Sequence, residues 1–169
     1  VTTTTISNRQ HEYVSKMISA EKLESKITLL KEDYRSLSGK YDKLVSIEMI
    51  EAVGYNFIQN FFETCSSLLK PNGLMAIQGI TYHEQGFENH LKAVDFIKKY
   101  IFPGSNLISV NHVLSTIKSY TDLSLVHLED ITKYYAETLK LWRDKYKDEF
   151  DKIKDMGYSD EFLRMWDYY

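Results

Sequence analysis

Tyr41-Asp42-Lys43-Leu44-Val45-Ser46-Ile47-Glu48-Met49-Ile50-Glu51-Ala52-Val53-Gly54 is the stretch on which the fold turns. Leu44, Val45 and Ile47 form a short apolar run with the look of a buried strand, and Gly54 turns the chain into a new helical pattern. Between them, two glutamates bracket Met49-Ile50. Open α/β sheets place their ligand chemistry at the carboxyl ends of strands. Glu51 is therefore either a site residue or an acid favoured at a helix start by the helix dipole.

The same alternation extends outward in both directions. Residues 1–6 are β-branched throughout and read as a strand, and Ser7 with Gln10 three residues on fits a capping box for the next helix. Residues 27–30 give a second strand, ending at Asp33-Tyr34-Arg35, and residues 74–80 a fourth. Phe57, Ile58, Phe61, Phe62, Cys65, Leu68 and Leu69 mark an amphipathic helix closed by Lys70-Pro71-Asn72-Gly73. Further on, the pattern predicts a helix over 88–101 stopped at Pro103-Gly104, a helix capped by Ser109 and a fifth strand over 123–128. A long helix then runs from Asp130 to about residue 155, and a last one opens at Ser159. Strands alternating with helices mean a parallel, helix-covered sheet. At 169 residues, one domain is the expectation.

Composition narrows the function classes. The net charge of −3 provides no general attraction to nucleic acid, so no nucleic-acid partner is expected. A single cysteine, Cys65, excludes an internal disulfide framework and any cysteine-based zinc site. The five histidines have no metal-ligand spacing, so no metal site is expected. No G-x-G loop, P-loop or G-x-S-x-G elbow occurs. With no apolar run near the length of a membrane span and no signal peptide, the chain reads as cytoplasmic.

Several chemistry-bearing groups then fall at the carboxyl ends of the expected strands, facing one crevice: Thr5-Ile6-Ser7 with Gln10, Asp33-Tyr34-Arg35, Glu51, and Gln78-Gly79-Ile80. Taken singly, each has a bland alternative. Thr5 fits a plain strand residue and Gln10 a capping-box partner, Asp33 a turn former, Tyr34 and Tyr135 core or rim aromatics. Trp142 reads as packing, and Cys65 as an inert buried thiol. Together with Lys99-Tyr100-Ile101-Phe102-Pro103-Gly104 and Tyr135-Ala136-Glu137-Thr138-Leu139-Lys140-Leu141-Trp142, the ordered set resembles the cyclopropane-fatty-acyl-phospholipid synthase family. The resemblance runs along essentially the whole chain and is strongest to the branch with E-A-V-G and Q-x-I, where other members carry E-H-V-G and H-T-I.

That resemblance implies a Rossmann-like methyltransferase sheet, mostly parallel, with helices on both faces, a helical insertion, and residues 1–169 as a partial domain. It implies transfer of a methyl from S-adenosylmethionine to a cis double bond in a phospholipid acyl chain, with closure to a cyclopropane. The implied cofactor contacts are Thr5, Ile6, Ser7, Gln10, Asp33, Tyr34 and Arg35. The implied bicarbonate site has Glu51, Gln78 and Tyr135 as catalytic groups, with backbone contacts at Ile47 and Ile80. The family's glycine-rich loop and central first strand would precede Val1, and its closing segment would come after Tyr169. The sheet gap is then expected to be filled by the rest of a parent chain or a homo-oligomer, with the isolated chain inactive and a weak binder of the cofactor. Lipid substrates would put the enzyme at the inner membrane face. Two other readings stand beside this one: a relative methylating a small amine or another carbon acceptor, and a non-catalytic module binding a partner through its unfinished sheet edge.

Overall fold

The computed structural model describes residues 1–169. It divides into two compact units: residues 1–92 with 105–124, and residues 93–104 with 125–169.

In the first unit, β1 (Thr2–Thr4) runs parallel to β2 (Thr28–Leu30), in register Thr3 to Leu29, with α1 (Asn8–Ala20) as the crossover. Parallel neighbours need such a crossover because a hairpin cannot join them. β3 (Tyr41–Ile47) likewise pairs in parallel with β4 (Leu69–Gln78), and the short α2 (Ile50–Val53) and α3 (Ile58–Leu68) connect them. The two strand pairs form separate sheets, so β1 and β3 are not hydrogen-bonded to each other.

Burial on α3 explains why the second pair forms. Ile58, Phe61, Phe62, Cys65 and Leu68 recur at helical spacing and are all buried, with Leu44 and Met75 of the two strands packed against their cluster. Ile50, Ile108 and Ile117 complete that core. Each such side chain contributes about 1.5–3 kcal/mol when fully removed from water. The other face of this sheet is open. Val45, Ile47 and Leu74 are exposed, so the apolar run that reads as a buried strand is covered on one face only.

β4 starts five residues earlier than its pattern predicts. The turn-like Pro71-Asn72-Gly73 does not end the chain's extended course; it sits inside a bulge where the pairing jumps from Tyr41↔Leu69 to Lys43↔Leu74. Asn72 there takes φ +63, and a side chain on Gly73 would meet the Lys70 carbonyl oxygen at 2.9 Å. The expected fifth strand over 123–128 is absent. Leu123 donates its N–H to Thr121 Oγ1 at 3.2 Å, and residues 125–128 are exposed and irregular. Beyond β4 the chain instead makes a single bridge, Thr81 to Ile108. From there α5 (Val110–Tyr120) begins, capped by Ser109 Oγ, which accepts from His112 N–H at 3.1 Å.

The expected helix over 88–101 is interrupted. α4 (Phe87–Lys92) ends where the second unit begins, and a π turn over Ile97–Ile101 comes next. Asp95 starts that turn afresh by accepting the N–H of Lys98 at 2.8 Å, which competes with continuation of α4. The remainder of the second unit is helical: α6 (Thr132–Asp148), α7 (Phe150–Asp155) and α8 (Asp160–Tyr168). The long helix read from Asp130 is thus broken at Glu149. Asp130 caps one residue early, accepting from Thr132 N–H at 2.9 Å. α8 is capped by Ser159 and fixed to α6 by Tyr146, whose hydroxyl donates to the Leu163 carbonyl at 2.8 Å. No helix is long and apolar enough to cross a membrane.

Candidate functional site

Two clusters of polar groups stand at strand ends in the first unit. Thr5 lies just past β1, and its hydroxyl donates to Gln10 Oε1 at 2.6 Å while accepting the N–H of Ser7 at 3.1 Å. Ser7 in turn caps α1, accepting from Gln10 N–H at 3.3 Å. The capping box is therefore only half reciprocal. The Gln10 side chain turns to Thr5 rather than back to Ser7, which brings the expected residues Thr5, Ser7 and Gln10 into one hydrogen-bonded ring. Ile6 lies between them and is 75% exposed, an apolar surface beside polar groups.

At the end of β2, Asp33 caps a single 3₁₀ turn and grips Arg35 twice, Oδ1 to Nε at 2.9 Å and Oδ2 to Nη2 at 2.7 Å. Those charge-assisted bonds to Arg35 lower the Asp33 pKa to about 2. Tyr34, between them, turns inward and meets Phe61 edge-on with ring centroids 5.6 Å apart, and burial pushes its hydroxyl pKa up. The three expected cofactor residues thus divide into an exposed ion pair and an aromatic anchored on the core.

The second cluster joins the ends of β3 and β4. Glu51 lies in the first turn of α2, and its Oε1 accepts the N–H of Ile80 at 2.6 Å. Its Oε2 is buried without a partner. The Glu51 carbonyl also accepts the N–H of Asn106 at 3.0 Å, and Asn106 Oδ1 is likewise buried and unpartnered. Gly79 makes the approach possible, since a Cβ there would sit 2.7 Å from Ile50 Cγ2 and 3.4 Å from Glu51 Oε1. Gln78 does not join Glu51. Its Nε2 donates to Glu48 Oε1 at 3.1 Å, and its carbonyl accepts the Glu48 N–H at 2.8 Å. Ile47 pairs with Gln78 in the sheet and is 57% exposed.

Tyr135 belongs to the second unit, on α6, where its ring meets Trp142 edge-on at 6.3 Å. Trp142 is 55% exposed, so the packing expected of it amounts to that one aromatic contact rather than burial. Cys65 is buried on α3 as expected. No group of three or more His, Cys, Asp or Glu side chains is gathered as a metal site would require.

Two residues at this site carry no role in the sequence reading. Asn106 lies in a segment without periodicity, so nothing in the pattern singles it out. Glu48 is visible as the first of the bracketing glutamates, but its pairing with Gln78 depends on the register of β3 against β4.

Parallel strands joined by helices, with carboxylates and amides at the strand ends, make a Rossmann-like α/β arrangement that places ligand chemistry at those ends. Among solved structures, mycolic acid cyclopropane synthase CmaA1, complexed with SAH and CTAB, superposes with a TM-score of 0.87 at 23% identity, covering all of this chain and 62% of that one. Tuberculostearic acid methyltransferase UfaA1 of Mycobacterium tuberculosis is 35% identical over 98% of this chain and 39% of its own length. The cyclopropane-fatty-acyl-phospholipid synthase of Escherichia coli K12 is 30% identical over 85% of this chain and 36% of its own length. The chain thus spans roughly two fifths of these curated relatives. The family described as mycolic acid cyclopropane synthetase matches residues 1–169, and the chain belongs to that family.

Proposed function

We propose that residues 1–169 are part of a methyltransferase domain that adds a methylene from S-adenosylmethionine across a cis double bond of a phospholipid acyl chain. The observation that carries this reading is the Glu51–Ile80 contact at the carboxyl ends of β3 and β4, in a chain matched by the cyclopropane synthetase family from end to end. S-adenosylmethionine supplies the methyl as a sulfonium, which a π bond attacks without acid or base.

The residues present suit a nucleoside cofactor. Thr5, Ser7, Gln10 and Asp33 provide hydrogen-bonding groups at the ends of β1 and β2, and exposed Ile6 offers an apolar contact beside them. Tyr34 orients this corner by its anchorage on Phe61, and Arg35 holds Asp33 ionised. Glu51 and Gln78, with the backbone of Ile47 and Ile80, are the groups assigned to the proton-accepting side.

A bicarbonate ion that takes the proton would be held by Glu51, whose buried Oε2 has no partner and would accept the ion's O–H, and by the Gln78 amide N–H that Glu48 does not use. Lipid substrates place the working enzyme at a membrane surface on the cytoplasmic side.

The test is to incubate the full-length protein with vesicles of cis-monounsaturated phospholipid and S-adenosylmethionine, and to track acyl-chain mass. Gain of one methylene per modified chain is the expected result. Unchanged lipid, with methylation of small amines instead, would overturn the reading.

A further inference from the structure

A glutamine side chain has two faces. Its carboxamide carries an acceptor oxygen on one side and a nitrogen with two N–H donors on the other. A half turn exchanges them at almost no steric cost, so a glutamine alone does not commit to meeting an anion as a donor. At Gln78 the exchange is blocked, because Nε2 donates to Glu48 Oε1 at 3.1 Å. Turning the amide would set its oxygen against a carboxylate, which has only acceptors to offer, and would forfeit a charge-assisted hydrogen bond.

Glu48 is itself bent to make this contact. Ile47 and Gln78 are paired across β3 and β4 and so share a face of the sheet. The next residue of an extended strand would point to the opposite face. Glu48 instead takes φ +49, in the left-handed region that residues with a side chain seldom adopt. The turn returns its carboxylate to the Gln78 side, while its N–H donates to the Gln78 carbonyl at 2.8 Å. Main chain and side chain of one residue thus close on the same partner. The other two such residues are accounted for locally: Lys22 lies just past the end of α1, and Asn72 lies in the β4 bulge. A strained conformation persists where its surroundings over-determine it, and here they do so to hold an amide.

We propose that Glu48 is a positioning residue of the proton-accepting site: by taking one N–H of the Gln78 amide it locks that amide as a donor and leaves the second N–H for a bound bicarbonate. This rests on the lipid methyltransferase reading above and deepens it. The role does not require Glu48 to touch the ion or the reacting atoms, since it acts through Gln78. The charge of Glu48 opposes an anion, but the residue is exposed, so water and salt screen that repulsion. A turned amide would instead bring its oxygen against the ion at contact distance, where nothing screens it. The lock therefore outweighs the charge.

The experiment uses the full-length protein as wild type, Glu48→Gly, Gln78→Met and the double variant, with isotope-labelled bicarbonate as the probe and NMR as the readout of its binding. Glu48→Gly suits the left-handed backbone and keeps the N–H that the Gln78 carbonyl accepts, so it removes the carboxylate without unfolding the strand end. We expect Glu48→Gly to weaken bicarbonate binding at least tenfold, with calorimetric S-adenosylmethionine binding within threefold of wild type. In the Gln78→Met background the same change should alter bicarbonate binding less than twofold, because no amide is left to orient. In protein labelled at glutamine nitrogen, bicarbonate should shift the Gln78 Nε2 proton that Glu48 does not hold, and this selective shift should vanish in Glu48→Gly. Bicarbonate binding in Glu48→Gly within threefold of wild type, or tighter, would overturn the proposal. An equal loss with and without the Gln78 amide would overturn it too. Wild-type protein that binds bicarbonate in this way yet leaves vesicle phospholipid unmethylated would be a failure of the functional reading instead, so the two are distinguishable.

Discussion

Glu51 and Ile80 are joined at 2.6 Å, a carboxylate oxygen of α2 accepting a backbone N–H two residues beyond β4. That contact fixes one oxygen of the carboxylate against the main chain and leaves the other buried without a partner. A buried, unpartnered carboxylate oxygen is costly unless a ligand or its proton completes it. Glu51→Gln retains an acceptor for Ile80 and removes the charge. In the full-length protein we expect turnover to fall by roughly 10²-fold while cofactor affinity stays within about threefold, because the loss falls on the reacting side. Parallel steady-state kinetics and calorimetry on the variant decide it. Unchanged turnover would remove Glu51 from the catalytic groups.

The starts of three helices are legible in the sequence because they are set by local chemistry. Ser7, Ser109 and Ser159 cap the helices they were read to cap, since a short hydroxyl before an apolar helical pattern has one good use. Residues 123–128 misled for the opposite reason. Their apolar run satisfies a strand pattern, but a strand needs a partner edge, and the bridge beside β4 goes to Ile108. The site was legible as a set of strand-end positions and not as pairings. Whether Gln78 meets Glu51 or Glu48 is decided by sheet register and by a left-handed backbone at Glu48, neither of which a pattern of residue types encodes.

The Asp33–Arg35 pair gives a pH signature. Asp33 has its pKa lowered to about 2 from 3.8, first by the side-chain hydrogen bond from Arg35. A depressed carboxyl pKa stabilises the folded state above the unfolded value, and that contribution is lost as pH falls through the folded one. The window therefore lies between 3.8 and about 2. An NMR titration of the Asp33 carboxyl should give a midpoint near the lower figure, moving toward the upper in Arg35→Gln. Because the pair is exposed, overall stability should change little. Coincident midpoints in the two proteins would mean the bidentate grip does not exist in solution.

Cys65 provides a check on the core of α3. Burial alone pushes its thiol pKa up to about 12, and it is 4% exposed. With almost no thiolate and no access, the native protein should resist iodoacetamide at pH 8 and react fully once unfolded. Rapid labelling under native conditions would place α3 wrongly.

Phe61 couples that core to the corner proposed to hold the cofactor, since its ring meets Tyr34 at 5.6 Å and Phe62 at 5.2 Å between centroids. Phe61→Ala should cost about 3–5 kcal/mol by chemical denaturation. Phe61→Leu should cost less, yet weaken cofactor binding by releasing Tyr34. Equal binding in Phe61→Leu would show that Tyr34 holds its place without the ring contact.

Gly79 is the last position where structure and site can be separated. Its φ is unremarkable for any residue, so the argument is one of space alone. A Cβ there would stand 2.7 Å from Ile50 Cγ2, and Ile50 is buried at 2% exposure with little freedom to move. The same Cβ would press on Glu51 Oε1 at 3.4 Å. Gly79→Ala should therefore destabilise by about 1–3 kcal/mol through overpacking. Ile50→Ala removes the clashing methyl and costs about 2–5 kcal/mol by itself. If the clash is the cause, the double variant should be more stable than the sum of the two losses predicts, a coupling of about 1 kcal/mol or more in a double-mutant cycle. Strict additivity would mean that Gly79 is not wedged between Ile50 and Glu51, and the route by which Glu51 reaches Ile80 would have to be redrawn.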